Sequence, residues 1–272
     1  MKCGICPHCC DLKEGQTGLC RARSNIGGRI SCVNYGKLTS LALDPIEKKP
    51  LARFYPGSMI LSAGSYGCNL NCRFCQNFRI SMAENGEDNV YVPPEVLVRR
   101  AEELRAEGNI GLAFTYNEPI VGYEYVKDCA IIAKQRGLKT VLVTNGMICA
   151  GPLRELLPYI DAMNIDLKAF SERFYKMLNG DLQTVKQTIE ISAENCHVEV
   201  TTLIIPGEND SDDEMEEESK WLASVNTDMP LHISRFFPRY KMLEKEATPI
   251  ETIYRLRDKA SKYLKYVYTG NC

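Results

Sequence analysis

After residue 58 the sequence alternates, six times over, between a short apolar run and a longer segment of helical character. That alternation limits the fold more than any other feature. The short runs lie at 59–63, 111–115, 140–144, 162–166, 198–205 and 231–236, and each is followed by polar or glycine-rich residues. The segments between and after them, 94–107, 119–136, 152–157, 184–195, 212–223 and 249–263, read as helices, with Pro94 and Pro249 suited to a first helical turn. Strands joined through helices run parallel, because a parallel pair needs a long crossover. Six units are too few for a closed eight-fold barrel. The sequence therefore predicts an α/β fold built as a partial (β/α)6 TIM-like barrel, with a flat doubly wound sheet as the alternative and 266–268 as an added edge strand. Either architecture places its chemistry at the carboxyl ends of the strands.

Composition narrows the class. The 272 residues are 44% hydrophobic and 25% charged, with a formal net charge of −2. Such a chain can bury a large core, and its balance is not that of a nucleic-acid binder, which needs a basic face. Aromatic–basic clusters of the kind that stack bases are absent from the sequence. The start, Met1-Lys2-Cys3-Gly4-Ile5-Cys6, has no apolar stretch of signal length. No run approaches the roughly 18–20 apolar residues of a membrane span. The expectation is a cytoplasmic protein that engages neither membrane nor nucleic acid.

Thirteen cysteines stand out against that background. In a long chain without a secretion signal they point to metal or redox chemistry rather than disulfides. Six fall within the first 32 residues and three at 68–75; Cys129, Cys149, Cys196 and Cys272 are scattered. Residues 1–57 read as a Cys-rich module followed by a turn-filled connector, and 58–272 as the barrel.

The densest chemistry is Gly67-Cys68-Asn69-Leu70-Asn71-Cys72-Arg73-Phe74-Cys75, directly after the first barrel strand. Three thiolates on one tight loop suit three irons of a cubane cluster and leave the fourth iron open to a ligand. A zinc loop is the plain alternative, but a fourth ligand at zinc or ferredoxin spacing is missing nearby. In this setting the loop resembles the signature of the radical SAM superfamily. Asp44-Pro45-Ile46-Glu47-Lys48-Lys49-Pro50, the stretch 54–58, and the ending Cys75-Gln76-Asn77 are similar to the AmmeMemoRadiSam-system radical SAM proteins, relatives of the pyruvate formate-lyase activating enzymes. The resemblance runs from Cys3 to Asn271. It implies a [4Fe–4S] cluster on Cys68, Cys72 and Cys75, S-adenosylmethionine (SAM) as cofactor, and a 5′-deoxyadenosyl radical that abstracts hydrogen. It also implies a reductase or flavodoxin-type electron donor, Memo-like and AMMECR-like partner proteins, and a glycyl radical enzyme as an alternative target.

The same resemblance assigns roles at later strand ends. Phe74 belongs to the cluster loop. Glu118 would hold the amino group of SAM, with Asn117 standing where relatives carry glycine. Thr144 and Asn145 would line the ribose or methionine region, and Asp166 and Lys168 would contact SAM. Alternation in the fifth strand puts Glu199 and Thr201 on one face, facing the cavity. His232 and Arg235 are substrate-side candidates. The plain alternatives are a helix-start turn for Glu118, a strand-to-helix turn at 144–146 and an internal ion pair for Asp166 and Lys168.

At the N-terminus, Cys3, Cys6, Cys10 and Cys20 form a candidate second site for zinc or an iron–sulfur cluster. Cys9 and His8 lie beside it, and Cys32 has no evident partner. The reading that competes with a radical enzyme is a cysteine-rich metal-binding or electron-transfer protein without SAM activity.

Overall fold

The computed structural model describes residues 1–83 and 88–272. Its centre is one eight-stranded sheet: β1 (Ser40–Pro45), β2 (Met59–Gly64), β3 (Asn109–Phe114), β4 (Lys139–Thr144), β5 (Ala162–Asp166), β6 (His197–Ile204), β7 (Leu231–Arg235) and β8 (Val267–Gly270). Neighbours in the sheet are neighbours in sequence throughout. A doubly wound sheet reverses its strand order at a switch point, so the sequential order leaves the partial barrel. From β2 to β8 every pairing is parallel, and β1 closes one edge antiparallel to β2.

The crossovers are α1 (Pro94–Glu103), α2 (Tyr123–Gln135), α3 (Ala150–Leu156), α4 (Glu172–Met177), α5 (Leu182–Ala193), α6 (Asp212–Val225) and α7 (Ile250–Ala260). Their starts follow capping chemistry. The Asp181 carboxylate accepts the Thr184 N–H at 2.7 Å before α5, and the Ser211 hydroxyl accepts from Glu214 before α6. The short helix α4 escapes the sequence reading because six residues hold too little periodicity to register. Among the described residues no helix is long and apolar enough to cross a membrane.

Alternation along the strands divides the core into two layers. Leu61, Leu112, Leu142, Met163 and Val200 face outwards and join the main apolar cluster with the helices. Ile60, Ala113, Val141 and Ala162 form a second cluster with Ile46, Leu51 and Phe54. Residues 46–58 therefore fold under the amino-terminal end of the barrel and plug it. The stretch expected as a connector is part of the fold: 40–45 is the edge strand, and Leu51 is fully buried. Truncating such a leucine costs about 2–5 kcal/mol.

The N-terminal module carries a hairpin, Arg23–Ile26 paired with Arg29–Cys32. Arg23 fastens it to α2 through a two-pronged pair with Glu124 at 2.7 and 2.6 Å. Gly67, at φ +89°, lies so close to the module that a Cβ would stand 2.5 Å from the Cys20 carbonyl oxygen. A glycine is required there on both counts.

Candidate active site

The loop after β2 is held in place by its own backbone. Gly67 N–H donates to the Ile80 carbonyl, Asn71 N–H to Leu178, and the Arg73 carbonyl accepts from Lys241 N–H. Leu70 is buried, and Phe74 stacks on Phe174 with ring centroids 6.1 Å apart. Phe74 thus sets the loop's position through packing.

This anchoring gathers three thiols. Cys72 is buried, and Cys68 and Cys75 are half-buried. The Cys68 sulfur accepts N–H bonds from Leu70 at 3.4 Å and from Asn145 Nδ2 at 3.6 Å. Such donors are the ones that stabilise sulfur ligands of iron clusters. Burial pushes the Cys68 thiol well up and Cys72 up to about 12, so neither ionises unaided. A metal removes those protons on binding. Among the described residues no three Cys, His, Asp or Glu side chains close on one point to cage a single ion. In a cubane each thiolate binds its own iron, so the donor set of three thiols on one loop fits a [4Fe–4S] cluster.

Charged groups surround the loop at the strand ends. Glu118 follows β3 and is 3% exposed. Its carboxylate accepts the Thr144 hydroxyl at 2.7 Å, the Asn145 N–H at 2.8 Å and the Ile120 N–H at 3.1 Å. Burial lifts it to about 7 against those bonds, with Asp166 adding repulsion. Asp166 ends β5 and pairs with Lys168 at 2.7 Å. Burial disfavours the Lys168 charge, but the Asp166 carboxylate outweighs it and raises the lysine's affinity for the proton. Glu118, Thr144, Asn145, Asp166 and Lys168 therefore lie with the three cysteines at one mouth. Asn145 is the junction, since its Nδ2 also donates to Asn69 Oδ1 at 2.9 Å.

Other candidates sit elsewhere or are already engaged. The Asn117 amide is spent as a clasp: Oδ1 accepts from Ser65 N–H, and Nδ2 donates to the carbonyls of Tyr66, Gly67 and Glu118. Glu199 lies one inward layer below Asp166, level with Asn164. It accepts from Ala52 N–H at 2.9 Å, Arg53 N–H at 2.7 Å, and the rings of His197 and His232 at 2.9 and 2.6 Å. Burial would raise it, but these four bonds overrule and hold it at about 2. Thr201 donates to Asn164 Oδ1, whose amide in turn donates to the Pro50 carbonyl. His232 also stacks on Tyr268, and Arg235 donates to the Thr248 carbonyl. Glu199 thus ties the plug into the barrel and lies one layer below the mouth, with His197 and His232 on its carboxylate, whereas Thr201 is in register with Asp166 and bonds down to Asn164. The pleat placed Glu199 and Thr201 on one inner face, but only the tertiary fold shows that the plug claims Glu199.

Two contributors carry no role in the sequence reading. Asn69 donates to the Met147 carbonyl at 2.8 Å and links the cluster loop to the turn after β4. Asp44 and Lys49 form a buried pair at 2.8 Å inside the barrel, and the Tyr116 hydroxyl donates to the same carboxylate at 2.7 Å. Two opposite charges five residues apart in a proline-flanked segment were the available signal for that pair.

Comparison with known proteins agrees with this geometry. The radical SAM superfamily pattern matches residues 63–219. The uncharacterized protein MJ0808 of Methanocaldococcus jannaschii is 40% identical over all of this chain and 81% of its own length. The pyruvate formate-lyase 1-activating enzyme of Escherichia coli is 29% identical over 54% of this chain and 61% of its own. Streptococcus suis SuiB bound to S-adenosylmethionine superposes with a TM-score of 0.61 at 16% identity, over 78% of this chain and 52% of SuiB, which speaks to the fold. The matched stretch runs from the end of β2 through the three-cysteine loop and into α6, more than half of the chain, and on that ground this enzyme belongs to the radical SAM superfamily.

Proposed function

We propose that the enzyme cleaves SAM reductively at a cluster held by Cys68, Cys72 and Cys75, and that the product radical abstracts hydrogen from a substrate at the barrel mouth. The observation that carries this is the gathering of the three thiols with Glu118, Asp166 and Lys168 on one rim. When bound, a [4Fe–4S] cluster supplies the electron that splits the sulfonium into methionine and a 5′-deoxyadenosyl radical. The chain's own residues bind and orient. Glu118 is a buried carboxylate with no cation bonded to it among the described residues, which suits the ammonium of SAM. Lys168 supplies a positive charge beside the sulfurs and toward the cofactor's carboxylate. Phe74, Leu70 and Phe174 pack beneath the loop and keep water from its underside.

The electron donor in this reading is a reductase or flavodoxin-type protein. The target is a glycine Cα–H of a partner glycyl radical enzyme, supported by the likeness to the E. coli activating enzyme. Memo-like and AMMECR-like proteins are the further partners proposed from the sequence resemblance.

The test is turnover of SAM by anaerobically reconstituted, reduced protein. The expected products are 5′-deoxyadenosine and methionine in equal amounts. Protein with a full cluster that forms neither would overturn the reading. A glycyl doublet in the EPR spectrum of a co-incubated partner enzyme would identify the target.

A further inference from the structure

The N-terminal module encloses a cavity that the proposed reaction does not use. Cys3, Cys6, Cys10 and Cys20 line it, together with Arg23 and Asn69. The local backbone explains why these four thiols meet. Cys3 N–H donates to the Cys10 carbonyl at 3.0 Å and closes the first loop. Cys9, at φ +43°, points its thiol back at the Cys6 carbonyl and is not among the lining residues. Gly18 N–H donates to the Arg23 carbonyl at 2.8 Å, folding Cys20 back over the first loop. Neighbouring donors are engaged elsewhere. His8 Nε2 is bonded to the Asn69 carbonyl at 2.8 Å, and Cys32 donates to Asn34 Oδ1 at 3.0 Å.

A second observation points to a ligand. Arg23 is 5% exposed, and its terminal nitrogens are taken by Glu124 and the Val121 carbonyl. Its Nε–H is buried with no acceptor. A buried donor left unbonded costs about 1–3 kcal/mol, and an anionic group in the cavity that Arg23 lines would take that bond. Burial pushes the Cys6 thiol up to about 12 and raises that of Cys20, so these two release their protons to a metal rather than to water.

We propose that Cys3, Cys6, Cys10 and Cys20 hold a second iron–sulfur cluster, beside which Arg23 supplies a positive N–H. An all-thiol set suits zinc as well as iron. These thiols, however, stand around a cavity, and no three of them close on a point. Separated sulfurs fit a polynuclear core better than a single tetrahedral ion. The site is independent of the radical cluster in its ligands but joined to it through Asn69. That residue lines the cavity, follows Cys68 in sequence, and accepts from the Asn145 amide that also donates to the Cys68 sulfur.

Iron and sulfide counts on the full chain test the proposal. Wild-type protein purified without oxygen and reconstituted with iron and sulfide should hold about eight irons per chain, twice the complement of one cubane. The Cys68→Ala/Cys72→Ala/Cys75→Ala variant should keep about half of that, with iron–sulfur absorption and a reduced-cluster EPR signal that SAM does not alter. Cys3→Ser/Cys20→Ser should lose the other half while its remaining EPR signal still responds to SAM. Wild-type protein that saturates at about four irons, or a triple-alanine variant holding one zinc and no iron, overturns the proposal. The wild-type count decides the matter even if a variant fails to fold. A full count without SAM cleavage would sink the proposed reaction and leave this site standing.

Discussion

Glu118 and Glu199 are 3% and 0% exposed, and each accepts several hydrogen bonds inside the same barrel. Burial works against the charge of both. At Glu199 two imidazoles and two backbone N–H groups overcome it, and the carboxyl falls to about 2. At Glu118 a hydroxyl and two N–H groups do not suffice, Asp166 adds repulsion, and the carboxyl rises to about 7. A carboxylate has about four acceptor positions. Glu199 fills them from the chain itself, so its work is complete in the folded protein. Among the described residues no cation bonds Glu118, and in the proposed reaction the SAM ammonium would fill that place. The lower barrel is thus scaffold, satisfied internally, and the mouth is left short of partners that a cofactor brings.

The sharpest way to break that division is at the cysteine loop. Cys72→Ala should abolish SAM cleavage to background while changing stability by only about 1 kcal/mol, the usual size for a small truncation. Product formation and urea unfolding measure the two effects. A variant that unfolds but still cleaves SAM in its folded fraction would reverse the assignment of the mouth.

Glu199→Gln should do the opposite. Loss of the charge beside His197, His232 and two N–H donors should cost on the order of 3 kcal/mol, with SAM affinity little changed. The pH dependence gives the sign. The folded carboxyl is depressed from an ordinary 4.5 to about 2, so its contribution is fully present above 4.5 and is lost as pH falls toward 2. The stability gap between wild type and variant should therefore be constant above about pH 5 and close on acidification through that window. A gap that persists at pH 2 would mean that shape, not charge, holds the plug.

Much of this was legible in the sequence. The bounds of β5 agree with the run read at 162–166, and every expected strand overlaps an observed one, because parallel strands buried on both faces write continuous apolar runs. The three-cysteine loop was legible because its thiols lie within eight residues of one another in sequence. What the sequence hid is non-local. Ser40–Pro45 reads as a connector because Pro45, Pro50 and Pro56 mark turns around it, although a proline at the end of an edge strand costs the sheet no hydrogen bond. Glu199 and Thr201 were placed on the inner face correctly by the pleat. Depth within the barrel depends on where residues 50–53 fold, and periodicity does not carry that information.

Lys168 and Glu118 then divide the mouth more finely. Lys168→Met removes the charge beside the sulfurs and leaves Asp166 unpaired, and SAM affinity should fall about 10–100-fold, the size of a lost charged contact in a partly buried site. Equilibrium dialysis of cluster-loaded protein measures it. Glu118 should show a smaller, pH-graded effect. Its carboxyl ionises near 7, so below that value it offers the SAM ammonium a neutral acid, and above it a full charge. SAM affinity should rise with pH up to about 7, by at most about tenfold per unit. The groups facing Glu118 are the Thr144 hydroxyl, the N–H groups of Ile120 and Asn145, the Cys68 thiol, and Asp166 at longer range. Glu118→Gln should flatten the slope while keeping the hydroxyl contact. An unchanged slope in that variant would move the titrating group elsewhere and reduce Glu118 to the same internal role as Glu199.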